Sequence, residues 1–129
     1  MTQIVRVAVE AVTAKQAEEV VVLDVSQVCS FAQNLMICHG RSSRQVKTLT
    51  SAVLEAGRNL GRHPHHLEGE RTGEWVLMDY LDLVVHIFCP RERREFFALE
   101  RLWGDAPRRD LGDILGQGAG GSGSSRTAK

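Results

Sequence analysis

Three groupings along this 129-residue chain hold side chains able to do chemistry. The first is His63-Pro64-His65-His66, followed closely by Glu68. Imidazoles are the commonest metal ligands, and on an extended chain His66 and Glu68 share one face while His65 points to the other. No spacing supplies a third and fourth ligand, so solvent-exposed histidines at a loop-to-strand junction explain the cluster, and zinc or nickel there would be adventitious. The second is the turn Gly40-Arg41-Ser42-Ser43, which opens a helix whose free backbone donors would suit a phosphate. It lacks the lysine and spacing of a P-loop. A nucleotidyl transferase would also need paired carboxylates downstream to hold metal ions, and the helix offers only Glu55. A simple capped helix start is the better account of the turn. The third mixes Trp75, Asp79, Tyr80 and Asp82 at one end of an apolar hairpin. Aromatic rings beside fixed charges make docking surfaces, not catalysts. No serine or cysteine has the context of an activated nucleophile, and His86 reads as a buried, hydrogen-bonded imidazole. Neither an enzyme activity, a metal nor a cofactor is expected.

These groupings hang on a simple series of elements. Residues 73–88 read as two strands joined by a tight turn, rich in β-branched and large apolar residues. On the first arm Trp75, Leu77 and Asp79 share one face, and Val76, Met78 and Tyr80 the other; on the second, Leu83, Val85 and Ile87 oppose Val84, His86 and Phe88. Apolar groups on both faces suit strands in the middle of a sheet covered by helices. Residues 4–19 fit either a strand alternation at Val5, Val7 and Val9 or a helix stripe through Val5, Ala8 and Val12; the helix formers that follow favour the helix. Residues 20–25 and 35–39 read as strands. Ser42 and Gln45 have the spacing of a capping box ahead of a stripe at Val46, Leu49, Val53, Ala56 and Leu60. Gly61 is placed to end that helix, and Gly57 inside it implies close approach of a neighbouring element. Residues 65–68 form a short strand, and residues 91–103 a helix after Pro90. The order implies an α/β domain on a mixed five-stranded sheet flanked by helices over residues 1–105. The Gly/Ser-rich remainder, 106–129, reads as a flexible tail, with too few apolar groups near 110–115 to pin a helical turn.

Composition narrows the class further. An apolar fraction of 43% and a charged fraction of 25% belong to an ordinary globular domain. Formal net charge is zero, which argues against nonspecific attraction to nucleic acid or membrane. The charge is nonetheless uneven: Arg41, Arg44, Lys47, Arg58 and Arg62 face only Glu55 over residues 41–62, whereas Glu68, Glu70, Glu74, Asp79 and Asp82 face only Arg71 over 67–88. No membrane span or signal h-region is visible. Cys29, Cys38 and Cys89 are odd in number and form no CxxC pair, as expected of buried free thiols in a cytoplasmic protein.

Several separated blocks share a pattern: Val21-Val22-Leu23-Asp24-Val25-Ser26, the Ile37-Cys38-His39-Gly40-Arg41-Ser42-Ser43-Arg44-Gln45-Val46 turn, Glu68-Gly69, Gly73-Glu74-Trp75-Val76-Leu77-Met78-Asp79-Tyr80, Val84-Val85-His86-Ile87-Phe88 and Leu99-Glu100-Arg101-Leu102-Trp103-Gly104. In this order and spacing the chain resembles the ribosomal silencing factor family, also called Iojap-like proteins. The resemblance implies a nucleotidyltransferase-like α/β fold without the catalytic carboxylates, and a homodimer. It further implies binding to the large ribosomal subunit through ribosomal protein fourteen at the inter-subunit face, which obstructs joining of the small subunit and represses translation. By the same resemblance the partner-binding surface comprises Trp75, Leu77, Met78, Asp79, Tyr80 and Asp82. Leu81 departs from the glycine often found between the tyrosine and aspartate, which argues against a left-handed turn there. Arg41, Arg44 and Lys47 offer a minor contact with ribosomal RNA or merely a solvated helix face. The rival readings are a nucleotide-binding or nucleotidyltransferase-like enzyme and a ribosome-assembly adaptor.

Overall fold

The computed structural model describes residues 3–28, 30, 32–91, 94 and 106–116. In chain order they form α1 (Gln3–Ala14), β1 (Glu18–Asp24), β2 (Asn34–His39), α2 (Ser43–Arg58), β3 (His66–Glu68), β4 (Trp75–Asp79), β5 (Leu83–Phe88) and α3 (Leu111–Gly116). The ambiguous N-terminal segment is a helix, because Ile4, Val5, Ala8, Val9 and Val12 all bury on one stripe. The strands form a five-stranded sheet in the order β1-β2-β5-β4-β3. Only β2 and β5 run parallel; the remaining pairs are antiparallel, so the sheet is mixed.

The main core lies between one face of this sheet and the helices. Val22, Met36, Cys38, Val76, Met78, Tyr80, Leu83, Val85 and Ile87 meet Val5, Val9 and Val12 of α1 and Val46, Leu49 and Val53 of α2. The buried stripe of α2 then passes through Gly57; Ala56 and Leu60, expected on it, are only partly covered. The reason is steric. A Cβ on Gly57 would sit 3.1 Å from the Tyr80 hydroxyl oxygen and 3.2 Å from the Arg62 carbonyl oxygen, so the glycine admits the tyrosine ring. Gly61, at φ 74°, supplies the left-handed residue just beyond the helix. At the other end the Ser42 hydroxyl accepts from the Gln45 backbone N–H, as the capping pattern predicts. The Gln45 side chain, however, accepts from Arg41 and not from the cap residue itself. Its amide nitrogen reaches across to the carbonyls of Lys15 and Gln16, tying the end of α1 to the start of α2.

A smaller apolar cluster covers part of the other face: Leu23, Val25, Leu35, Ile37 and Phe88, with Ala32 and Ala106. Residues 106–116 are not a free tail. Ile114 is 1% exposed within the main core, and Leu111 and Leu115 pack against it. Asp24 donates its N–H to the Pro107 carbonyl, Arg109 donates to the Val22 carbonyl, and the Arg109 side chain holds both Asn34 and Asp24. The domain boundary expected at residue 105 therefore moves to at least Gly116. The helix expected over 91–103 lies outside the described residues except at Arg91 and Arg94, and Cys29 and the Gly/Ser run lie outside them too. Cys38 and Cys89 are buried free thiols, and burial pushes the Cys38 thiol up to about 12.

Candidate docking surface

Strand β4 divides its side chains between two environments. Its register with β5 pairs Trp75 with Phe88, Leu77 with His86 and Asp79 with Val84. Its register with β3 sets Glu68 opposite Leu77 and His66 opposite Asp79. Trp75, Leu77, Asp79 and these partners therefore share the face away from α1 and α2. There Trp75, Leu77, Asp79 and Val84 are half-buried, whereas His66 and Glu68 are exposed.

The tryptophan is held by two neighbouring rings. Its ring lies 5.2 Å from that of Phe88, nearly stacked, and 5.9 Å from that of His86. Its indole Nε1–H donates to His86 Nδ1 at 3.0 Å. That bond requires an unprotonated Nδ1, so His86 is neutral with its proton on Nε2. Burial favours the same state and lowers the His86 pKa to about 4. The histidine is thus a prop for the indole, and the reading of it as a satisfied imidazole stands.

Met78 and Tyr80, expected on the contact surface, point the other way. Both are fully covered by the helical layer, because alternate residues of a strand face opposite sides. The Tyr80 hydroxyl is buried without a hydrogen-bond partner, and burial raises its pKa. These two residues lie beneath the surface, which they support from the core side.

The hairpin tip is tighter than expected. Tyr80 donates to the Leu83 carbonyl at 2.8 Å, and Asp82 donates to the Tyr80 carbonyl at 3.0 Å across Leu81. Leu81 has φ 77°, which with that bond makes a γ-turn of the rare positive-φ kind. The substitution of leucine for glycine does not abolish the left-handed residue; it makes that residue strained, by roughly 1–3 kcal/mol. Side chains enforce it. Asp79 Oδ1 accepts from the Leu81 N–H at 2.8 Å. Arg62 donates to the Tyr80 carbonyl at 2.9 Å and forms an ion pair with Asp82 at 2.7 Å. Asp82 is accordingly engaged within the domain and shapes the tip. The leucine it helps to present is 54% exposed, and the large exposed hydrophobics among the described residues are Leu81 and Val28. Sequence reasoning missed Leu81, Arg62 and the His86 prop. Hairpin register alone would have placed His86 diagonal to Trp75, but Arg62 carries no local signal.

The other two groupings do not assemble. Among the described residues no cluster of three or more His, Cys, Asp or Glu side chains is placed to hold a metal ion. At the Gly40 turn the Gly40 N–H donates to the Phe88 carbonyl, Arg41 to Gln45, and Gln45 to Ser42, so three of the backbone donors around the turn are engaged within the domain. Among the described residues no helix is long and apolar enough to cross a membrane.

Comparison with known proteins gives one consistent answer. The family described as Ribosomal silencing factor during starvation matches residues 1–129. The ribosomal silencing factor of Halalkalibacterium halodurans is 36% identical over 113 residues, which are 88% of this chain and 96% of that protein. The ribosomal silencing factor of Bacillus subtilis is 36% identical over 108 residues, 84% of this chain and 91% of that protein. A crystal structure from Chromobacterium violaceum superposes with a TM-score of 0.76 at 35% identity, covering 79% of this chain and 84% of that one. Those relatives are named as silencing factors, not as enzymes. Sequence pattern, sheet topology and these relatives agree: the chain belongs to the family of ribosomal silencing factors during starvation.

Proposed function

We propose that this protein binds the large ribosomal subunit at its inter-subunit face, through ribosomal protein fourteen, and represses translation by occupying the space into which the small subunit would move. The observation that carries the reading is a rigid row on the open sheet face. Trp75, Leu77 and Asp79 stand half-exposed along β4, and the row ends in the exposed, strained Leu81. A ring fixed by stacking and one hydrogen bond loses little further freedom on binding, so its buried area contributes more fully to affinity. Asp79 adds negative charge that steers and orients a basic partner. Met78, Tyr80 and Asp82 act from behind, holding the row and the tip in shape. No bond-making step is needed, because the effect depends only on occupancy of the subunit surface. Two copies would enlarge the obstacle, and the cytoplasm is where such a target resides.

Sucrose-gradient sedimentation with purified subunits tests this. The wild-type protein should migrate with large subunits and reduce the yield of joined ribosomes from mature subunits. Trp75→Ala should lose both effects while keeping its thermal transition. Normal binding and blocking by that variant would sink the assigned surface, and binding without any effect on joining would favour a role in subunit assembly.

A further inference from the structure

The helical layer carries a second surface, independent of the row on β4. A groove of about 400 Å³ runs along the outer side of α2, lined by Lys15, Arg44, Lys47, Thr48, Ser51 and Glu55, with Ala52 its one apolar residue. Lys15, Arg44 and Lys47 are exposed and have no ion-pair partner among the described residues. Arg58 and Arg71 are also exposed without an ion pair among the described residues, but neither lines the groove. Arg6, Arg41, Arg62, Arg91 and Arg109 each lie within 3.7 Å of a carboxylate. In a chain with 16 basic and 16 acidic residues, three unmatched cations, two from α2 and one from the turn after α1, converge on one groove. Arg41, grouped with them by sequence, is drawn away to Glu18. Glu55 does not cancel them, because eleven residues of helix put it about 16 Å along the axis from Arg44.

We infer that this groove receives the phosphodiester backbone of RNA. Cations spread along an open groove match a run of phosphates better than one compact anion. The lining offers no aromatic or broad apolar wall for a base, as a mononucleotide would require. It also lacks the large apolar side chains with which a basic surface enters a lipid interface. Ser51 adds a hydroxyl of the kind that donates to phosphate oxygens. Because α2 covers the sheet face opposite Trp75, RNA in the groove leaves the β4 row open. The inference does not depend on the proposed protein partner, although a ribosome supplies both kinds of surface.

The test is fluorescence anisotropy with a labelled single-stranded RNA oligonucleotide between about 50 and 200 mM salt. Three neutralised phosphates give a slope of about −2 in log affinity against log salt, or roughly a 15-fold loss across that range. The triple variant Lys15→Gln/Arg44→Gln/Lys47→Gln should bind at least about 10-fold more weakly at the lower salt and lose nearly all of the slope. Its fold should survive, since all three positions are exposed, and a thermal melt checks this. Arg71→Gln, outside the groove, and Trp75→Ala should both bind RNA like the wild type. No wild-type binding at the lower salt, equal binding by the triple variant, or equally tight binding of polyglutamate would each overturn the inference. Sedimentation separates the two readings. If Trp75→Ala abolishes migration with large subunits while RNA binding is absent, only the groove assignment fails; if RNA binds the groove but no migration occurs, only the ribosome-docking reading fails.

Discussion

The two faces of β4 share one backbone and differ in everything above it. Inward, Val76 and Met78 are fully buried against helices and continue into the covered ring of Tyr80. Outward, Trp75, Leu77 and Asp79 are half-buried on a shelf of Phe88, His86 and Val84. The inner set contributes mainly through apolar area removed from water. The outer set leaves area exposed and is oriented by pairing instead. Stability and recognition are therefore carried by alternate residues of a five-residue strand, and substitutions can separate them.

The largest expected effect is on the inner face. Met78→Ala should cost about 2–5 kcal/mol, read as a lower urea midpoint, and should weaken docking only by the fraction unfolded. Next comes the prop beneath the outer face. His86 has its pKa lowered to about 4 from 6.5, so between those values the unfolded chain binds a proton that the native state refuses. Stability is fully present above about pH 6.5 and falls as pH drops toward 4, by about 3 kcal/mol in all. Urea titrations at several pH values on wild type and His86→Phe would show this, and an unchanged pH dependence in the variant would mean another group is responsible. Leu81→Gly should then act with opposite signs in two assays. Release of left-handed strain, less the added freedom of glycine when unfolded, should raise stability by about 1 kcal/mol, while sedimentation with large subunits weakens. Smallest is Tyr80→Phe. Removing a buried hydroxyl that lacks a partner should leave stability unchanged or raise it by less than about 1 kcal/mol, with docking intact. Loss of docking there would return the tyrosine to the contact surface.

Local and periodic features were legible in the residues. The hairpin, its alternation, the Ser42 cap, the stop at Gly61 and the neighbour implied by Gly57 all follow from spacing or from backbone geometry, and each is present. Which face of β4 lies open was not legible, because both faces are apolar and helix packing decides between them. Met78 and Tyr80 entered the expected surface through the family resemblance, and alternation alone could not say that their face is the covered one. The left-handed Leu81 was hidden because its φ is imposed by Arg62 and Asp79, not by its own preference. The Arg62–Asp82 pair spans twenty residues and leaves no trace in any short pattern. The anchoring of residues 106–116 rests on one isoleucine and on backbone bonds to β1, which composition does not reveal.

That anchoring bears on how copies of the protein meet. β1 and β3 are the outermost strands, and a bare outer strand is a template for pairing with another chain. The segment around Arg108 pairs with Leu23 and so covers the outer side of β1 from Val22 to Asp24 with the molecule's own backbone. Among the described residues that leaves the start of β1, irregular between Glu18 and Val21, and the three-residue β3, both too short to recruit a partner strongly. Continuous sheet growth from one copy into the next is thereby disfavoured at both rims, which shifts any association between copies toward side-chain contacts.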